Sequence, residues 1–171
     1  HQAEQLGTGH AVAQAMPILK DFEGRVIVAF GDTPFIRPET LASLAQAEAD
    51  VTILGFEAED PARYGRLVTS QAGLERIVEF KDATAEERAI RLCNGGVTMA
   101  PATLLIELLK TLGDDNAAGE IYLTDIVAAA RARGHSATAI LCDPVETMGV
   151  DTRAALARAE AAFQVRLAVA S

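Results

Sequence analysis

An uninterrupted apolar run, Val26-Ile27-Val28-Ala29-Phe30, stops at Gly31-Asp32, and a second such run, residues 51–56, follows it after a helix-like stretch. Short runs without polar alternation suit strands covered on both faces, because side chains pointing either way must meet apolar partners. The stretch between them, residues 38–49, opens on Arg37-Pro38-Glu39, a Pro-started first turn of a helix. Strand, helix, strand in that order predicts an α/β domain with a parallel sheet. Asp32, an acid at the carboxyl end of a buried strand, then sits where open α/β sheets bind their ligands.

The remaining chain continues the alternation with one interruption. Gln2-Ala3-Glu4-Gln5-Leu6-Gly7-Thr8-Gly9-His10 leads into a predicted helix over residues 9–16 that Pro17 disturbs. Residues 65–69 and 74–80 are strand-like and joined by Ser70-Gln71-Ala72-Gly73, a hairpin signal. Residues 89–100 are extended, and residues 101–112 form a helix with Leu104, Leu105, Leu108 and Leu109 on one face. A helix over 124–133 stops at Gly134, Ala137–Leu141 is a strand, and residues 152–168 form a closing helix. With no repeat or linker, residues 1–171 read as one domain.

Composition narrows the partners. A chain of 171 residues that is 50% hydrophobic can bury a sizeable core. Its formal net charge of -9 argues against a surface that neutralises nucleic-acid phosphates. An anionic small substrate therefore needs local cations or a metal ion. Cys93 and Cys142 lie in apolar, strand-like contexts, which favours reduced core thiols over a disulfide. No run is long enough for membrane insertion and no signal-peptide pattern appears, so the expectation is a soluble cytoplasmic protein.

Each candidate motif carries a plain structural alternative. Gln2 with Gly7-Thr8 can read the edge of a base, or can simply open a helix. Asp32 can hold Mg²⁺ or cap the Thr33-Pro34 turn. Gly65 in Tyr64-Gly65-Arg66 admits a ligand near the backbone or marks a bulge. Glu79 in Glu79-Phe80-Lys81-Asp82 binds hydroxyls or belongs to a solvated rim. Asn94-Gly95-Gly96 places an amide inside an apolar run, where it needs a bonding partner. Glu120, Tyr122, Thr124 and Asp125 lead into a helix that Thr and Asp also suit as caps, and Asp151 precedes another. Three scattered His residues argue against a zinc site.

The order and spacing of these segments resemble one family over nearly the whole chain. The Gln2–Ala11 segment, Phe30-Gly31-Asp32-Thr33-Pro34, Tyr64-Gly65-Arg66, Ile77-Val78-Glu79-Phe80-Lys81-Asp82-Ala83, Asn94-Gly95-Gly96, the Asn116–Asp125 segment and Gly149-Val150-Asp151 together are similar to the uridylyltransferase domain of the bacterial bifunctional N-acetylglucosamine-1-phosphate uridyltransferase/glucosamine-1-phosphate acetyltransferase. The resemblance implies a Rossmann-like nucleotidyltransferase fold of the glycosyltransferase A type: a mixed, mainly parallel sheet flanked by helices, with a β-hairpin insertion. It implies transfer of UMP from UTP to N-acetylglucosamine 1-phosphate, giving UDP-N-acetylglucosamine and pyrophosphate for cell-envelope synthesis. Gln2, Gly7 and Thr8 would face the uracil, and Phe30 and Gly31 would also bind substrate. Asp32 and Asp151 would be the catalytic Mg²⁺ ligands, and Gly65, Glu79, Asn94, Tyr122 and Thr124 would line the sugar-phosphate pocket.

This sequence departs from the family pattern at four of these positions: Phe30 stands where Tyr is frequent, Phe80 where His occurs, Gly95 where Thr is frequent and Asp151 where Asn is usual. The family's glycine-rich Gly-x-Gly-Thr-Arg-Met segment and its C-terminal left-handed β-helix have no counterpart in these residues. The resemblance thus covers part of one nucleotidyltransferase domain, expected to be inactive alone, and a homotrimer is expected only where the β-helix is present. Two rival readings are a nucleotidylyltransferase for another sugar 1-phosphate and a truncated, non-catalytic sugar-nucleotide-binding module.

Overall fold

The computed structural model describes residues 1–170, and side chains as far as residue 168. In chain order the elements are α1 (Thr8–Ala13), α2 (Met16–Leu19), β1 (Arg25–Val28), α3 (Pro38–Gln46), β2 (Val51–Glu57), β3 (Arg66–Ser70), β4 (Gly73–Val78), α4 (Ala85–Arg88), β5 (Leu92–Pro101), α5 (Ala102–Leu109), α6 (Ile126–Ala132), β6 (Ala137–Leu141) and α7 (Arg153–Ala170). Single 3-10 turns, Leu123–Asp125 and Pro144–Thr147, precede α6 and α7. Among the described residues no helix is long and apolar enough to cross a membrane.

The strands form one sheet in the order β4-β3-β5-β2-β6, with β1 also paired to β5. The ten-residue β5 is its axis: β2 lies antiparallel along one side, and β3 and β1 occupy successive lengths of the other. The sheet is mixed and flanked by helices, as expected, and carries the β3–β4 hairpin. It is not mainly parallel, since β2 with β6 is the single parallel pairing among the described residues. The burial pattern could not show this, because a central antiparallel strand covered on both faces is as apolar as a parallel one.

A second correction concerns β1. It is only partly buried, Ile27 is 39% exposed, and the strand ends at Val28 rather than Phe30. It pairs with β5 alone, and while Val26 and Val28 pack against the cluster around α5, Ile27 on the other face stays exposed. By contrast β2 is buried at six successive positions. Val51 and Ile53 enter a large cluster with Leu105 and Leu108 of α5 and Ile126 and Val127 of α6, while Leu54 turns to the opposite face and joins Leu44, Val97 and Met99. Helices on both faces thus explain the uninterrupted run in β2. The closing α7 begins later in the chain but reaches back, stacking Phe163 on Phe35 at 6.4 Å between ring centroids.

Candidate active site

The turn after β1, the loop before β3, the end of β4, the bulged middle of β5, the approach to α6 and the approach to α7 converge on one open cavity of about 800 Å³. Thr8, Phe30, Asp32, Gly65, Glu79, Asn94, Tyr122, Thr124 and Asp151 all line it. Gln2, Gly7 and Gly31 do not line it.

The two acids come together through backbone. Val150 N–H donates to the Asp32 carbonyl at 2.8 Å, which ties the turn after β1 to Gly149-Val150-Asp151. Thr33 closes that turn by donating its hydroxyl to the Phe30 carbonyl at 2.9 Å. Both Asp side chains are exposed to the cavity. Among the described residues no group of three or more His, Cys, Asp or Glu is placed to hold a metal ion. A two-carboxylate set suits a hard ion such as Mg²⁺, which keeps waters and takes its remaining oxygens from substrate phosphates.

The floor is the interruption in β5. Gly96 adopts φ +79° and its N–H donates to Asn94 Oδ1 at 3.1 Å, leaving the Asn94 Nδ2 without a protein acceptor among the described residues. A Cβ on Gly96 would stand 2.7 Å from the Phe30 ring, and one on Gly95 would stand 2.8 Å from Thr147 Cγ2 and 3.0 Å from the Leu54 carbonyl. Gly96 lets Phe30 lie on the strand, and Gly95 leaves room for Thr147. Asn94 also donates its N–H to the Gly65 carbonyl at 2.8 Å, which joins the floor to the wall formed by residues 61–65. Within that wall Tyr64 meets Phe56 edge to face at 4.8 Å, and burial pushes its hydroxyl pKa up.

Glu79 stands against Gly65, whose missing side chain leaves room for the carboxylate: a Cβ there would lie 3.4 Å from Glu79 Oε1. Thr124 donates its hydroxyl to the same oxygen at 3.0 Å. Burial raises the Glu79 pKa, Thr124 opposes the rise, and the nearby Asp125 and Asp82 add to it. A raised folded value means that ionising Glu79 opposes folding. Its favourable contribution is complete below the unfolded glutamate value and is lost as pH climbs through the folded value. Glu79→Gln should therefore melt above the parent at pH 8, with the gap closing towards pH 4; thermal melts across that range check the sign.

The opening segment has a structural use. Gln2 donates through Nε2 to the Gly7 carbonyl at 3.2 Å. Gly7 has φ +109°, and a Cβ there would stand 2.5 Å from the Ile121 carbonyl oxygen. Ile121 N–H donates to the Leu6 carbonyl and Gly9 N–H to the Ile121 carbonyl, both at 2.8 Å, while Leu123 N–H donates to Thr8 Oγ1 at 2.9 Å. Gly-Thr-Gly thus admits the chain's own backbone at residues 120–123, and Thr8 alone of the three also reaches the cavity wall. Gly31 has open space where a Cβ would be. Sequence reasoning passed over two cations, Arg63 and Arg158, which also line the cavity. Arg63 sits in a loop without periodicity and Arg158 on an Ala-rich helix, so neither pattern marked them.

Known proteins resemble this chain over almost its whole length. The chain is 66% identical over 165 residues to the bifunctional protein GlmU of Paracoccus denitrificans, with 96% of the chain and 37% of that protein covered. It is 61% identical to GlmU of Cereibacter sphaeroides over 172 residues and 54% identical to that of Rhodospirillum rubrum over 171 residues. These matches cover 99% and 97% of the chain, respectively, and 38% of each relative. This chain is a relative of the GlmU proteins. It spans little more than a third of their length. No family model matches it. Two solved structures share its fold: a Bacillus anthracis protein assigned as a glucose-1-phosphate thymidylyltransferase, in complex with sucrose (TM-score 0.67, 19% identity, 92% of this chain and 61% of that one), and UDP-glucose pyrophosphorylase complexed with UDP-glucose (TM-score 0.72, 16% identity, 96% and 64%). The GlmU-related chain therefore has the nucleotidyltransferase fold.

Proposed function

We propose that this GlmU-related chain carries the site for transfer of UMP from UTP to N-acetylglucosamine 1-phosphate, with pyrophosphate as the second product, in a soluble cytoplasmic enzyme. The observation that carries the reading is the single cavity that gathers Asp32 and Asp151 with Gly65, Glu79, Asn94, Tyr122 and Thr124 from separate elements of the fold. A phosphate oxygen of the sugar phosphate attacks the α-phosphorus of UTP in line, and the bond from that phosphorus to the bridging oxygen of pyrophosphate breaks. The residues' part is to position the reactants. Asn94 Nδ2 and the Glu79 carboxylate face the sugar as donor and acceptor, and the Thr124 hydroxyl holds Glu79 in place. Asp32 and Asp151 would hold Mg²⁺, which when bound draws charge from the phosphate oxygens. Arg63 and Arg158 supply positive charge to a cavity whose other charged lining residues, Asp32, Glu79, Glu120 and Asp151, are acids.

Pyrophosphate release from UTP, Mg²⁺ and a panel of sugar 1-phosphates tests this reading in the full-length protein. Turnover selective for N-acetylglucosamine 1-phosphate supports it, selectivity for another sugar moves the assignment to that sugar, and no release overturns it. Asp151 adds a charge where the family usually has Asn. Asp151→Asn should therefore weaken Mg²⁺ binding by several-fold, roughly the loss of one carboxylate's charge from an exposed site, and a metal titration that shows no change would overturn this role.

A further inference from the structure

Arg66, the first residue of β3, is 1% exposed, yet no Asp or Glu pairs with it among the described residues. A buried guanidinium needs full hydrogen bonding to be tolerated. Here backbone carbonyls accept from four of its five N–H donors. Nη1 donates to Pro61 at 3.2 Å and to Tyr64, Nη2 to Ala62 at 3.0 Å, and Nε to Arg88 at 3.3 Å. Three of these four carbonyls belong to residues 61–64, the short loop that forms one wall of the cavity. The loop includes Ala62 at φ +40°, a left-handed conformation that an alanine adopts only when its surroundings hold it there. Arg88 lies over the neighbouring Phe80 ring, 4.6 Å from its centroid, with the Arg66 guanidinium at 5.9 Å. The Thr84–Glu87 capping box that starts α4 fixes the turn from which Arg88 projects.

We propose that Arg66 is a positioning residue for the sugar-phosphate wall. Its planar fork draws the carbonyls of Pro61, Ala62 and Tyr64 inward, and that fold of the loop sets Arg63 and Tyr64 on the cavity and puts the Gly65 carbonyl where it receives the Asn94 N–H. The guanidinium itself stays out of the cavity. Lysine keeps the charge but lacks the fork, so it cannot bond to carbonyls in several directions of one plane. Arg66 thereby couples the buried end of β3 to the wall formed by residues 61–65, which carries no regular secondary structure.

The inference rests on the uridylyl-transfer reading, and steady-state kinetics on the full-length protein separate the two. Turnover by the parent enzyme tests the reading itself. Given that turnover, Arg66→Lys should raise KM for N-acetylglucosamine 1-phosphate by about tenfold while KM for UTP stays within about twofold. Phe80→Leu keeps apolar volume beside Arg66 but removes the ring face, and should raise the same KM by about two- to threefold. A merely structural role would lower the fraction of active enzyme and leave both KM values alone. The proposal is overturned if neither variant raises the sugar-phosphate KM selectively, or if the two KM values rise together.

Discussion

Asp32→Ala in the full-length protein should reduce pyrophosphate release by about 10³-fold while leaving the melting temperature within about 1 °C of the parent. The two halves of this expectation have separate physical origins. What Asp32 gives to the fold is its carbonyl, which accepts the Val150 N–H, and any residue supplies that. Its side chain is exposed, faces the cavity and has no hydrogen bond or ion pair to the protein among the described residues. A carboxylate so placed is available to a cation, and a two-carboxylate set loses half of its protein ligands with one substitution. Asp32→Asn keeps one oxygen without the charge and should fall between the parent and Asp32→Ala. Turnover of Asp32→Ala within tenfold of the parent would remove Asp32 from the proposed metal site.

Gly7→Ala should have the opposite profile, with a large loss of stability and no direct loss of chemistry. At φ +109° and ψ 174° the backbone lies in a region that is essentially closed to residues with a Cβ. The added carbon would also stand 2.5 Å from the Ile121 carbonyl oxygen and 2.8 Å from its nitrogen. Both obstacles are backbone, so neither can swing aside as a side chain would. Relief requires Leu6–Gly9 to separate from residues 120–123, which breaks the hydrogen bonds that join them. The combined strain and lost bonding should lower unfolding free energy by about 3 kcal/mol, measurable by urea titration. If Gly7 served instead to admit a base, Gly7→Ala would unfold at the parent's urea concentration and show a raised KM for UTP.

Much of the fold was legible because local chemistry decided it. The β3–β4 hairpin, the strand Ala137–Leu141, the Leu104-Leu105-Leu108-Leu109 face of α5 and the end of α6 at Gly134 follow from periodicity and turn residues, and the structure has all of them. β2 reads as doubly covered and is so. β1 reads the same way and is not, because an apolar run records what side chains prefer and not how many neighbours the sheet provides. Strand direction was illegible for a related reason: β5 is equally apolar whether it runs with β2 or against it.

The site divides along the same line. Residue types singled out Asp32, Gly65, Glu79, Asn94, Tyr122, Thr124 and Asp151 as candidates that each had a plain structural alternative, and the family resemblance gave them their expected roles. That these residues share a cavity depends on bonds between distant segments, such as Val150 to Asp32 and Asn94 to Gly65. The same kind of contact gave Gly7 a close backbone neighbour, put Arg63 and Arg158 on the cavity wall, and wrapped the 61–64 loop around Arg66. By itself the sequence determined the elements and the chemically unusual positions, because propensity, capping and burial preference act within a few residues. The tertiary structure alone decided strand direction, which glycines face backbone and which cations face the site, because those depend on contacts between residues far apart in the chain.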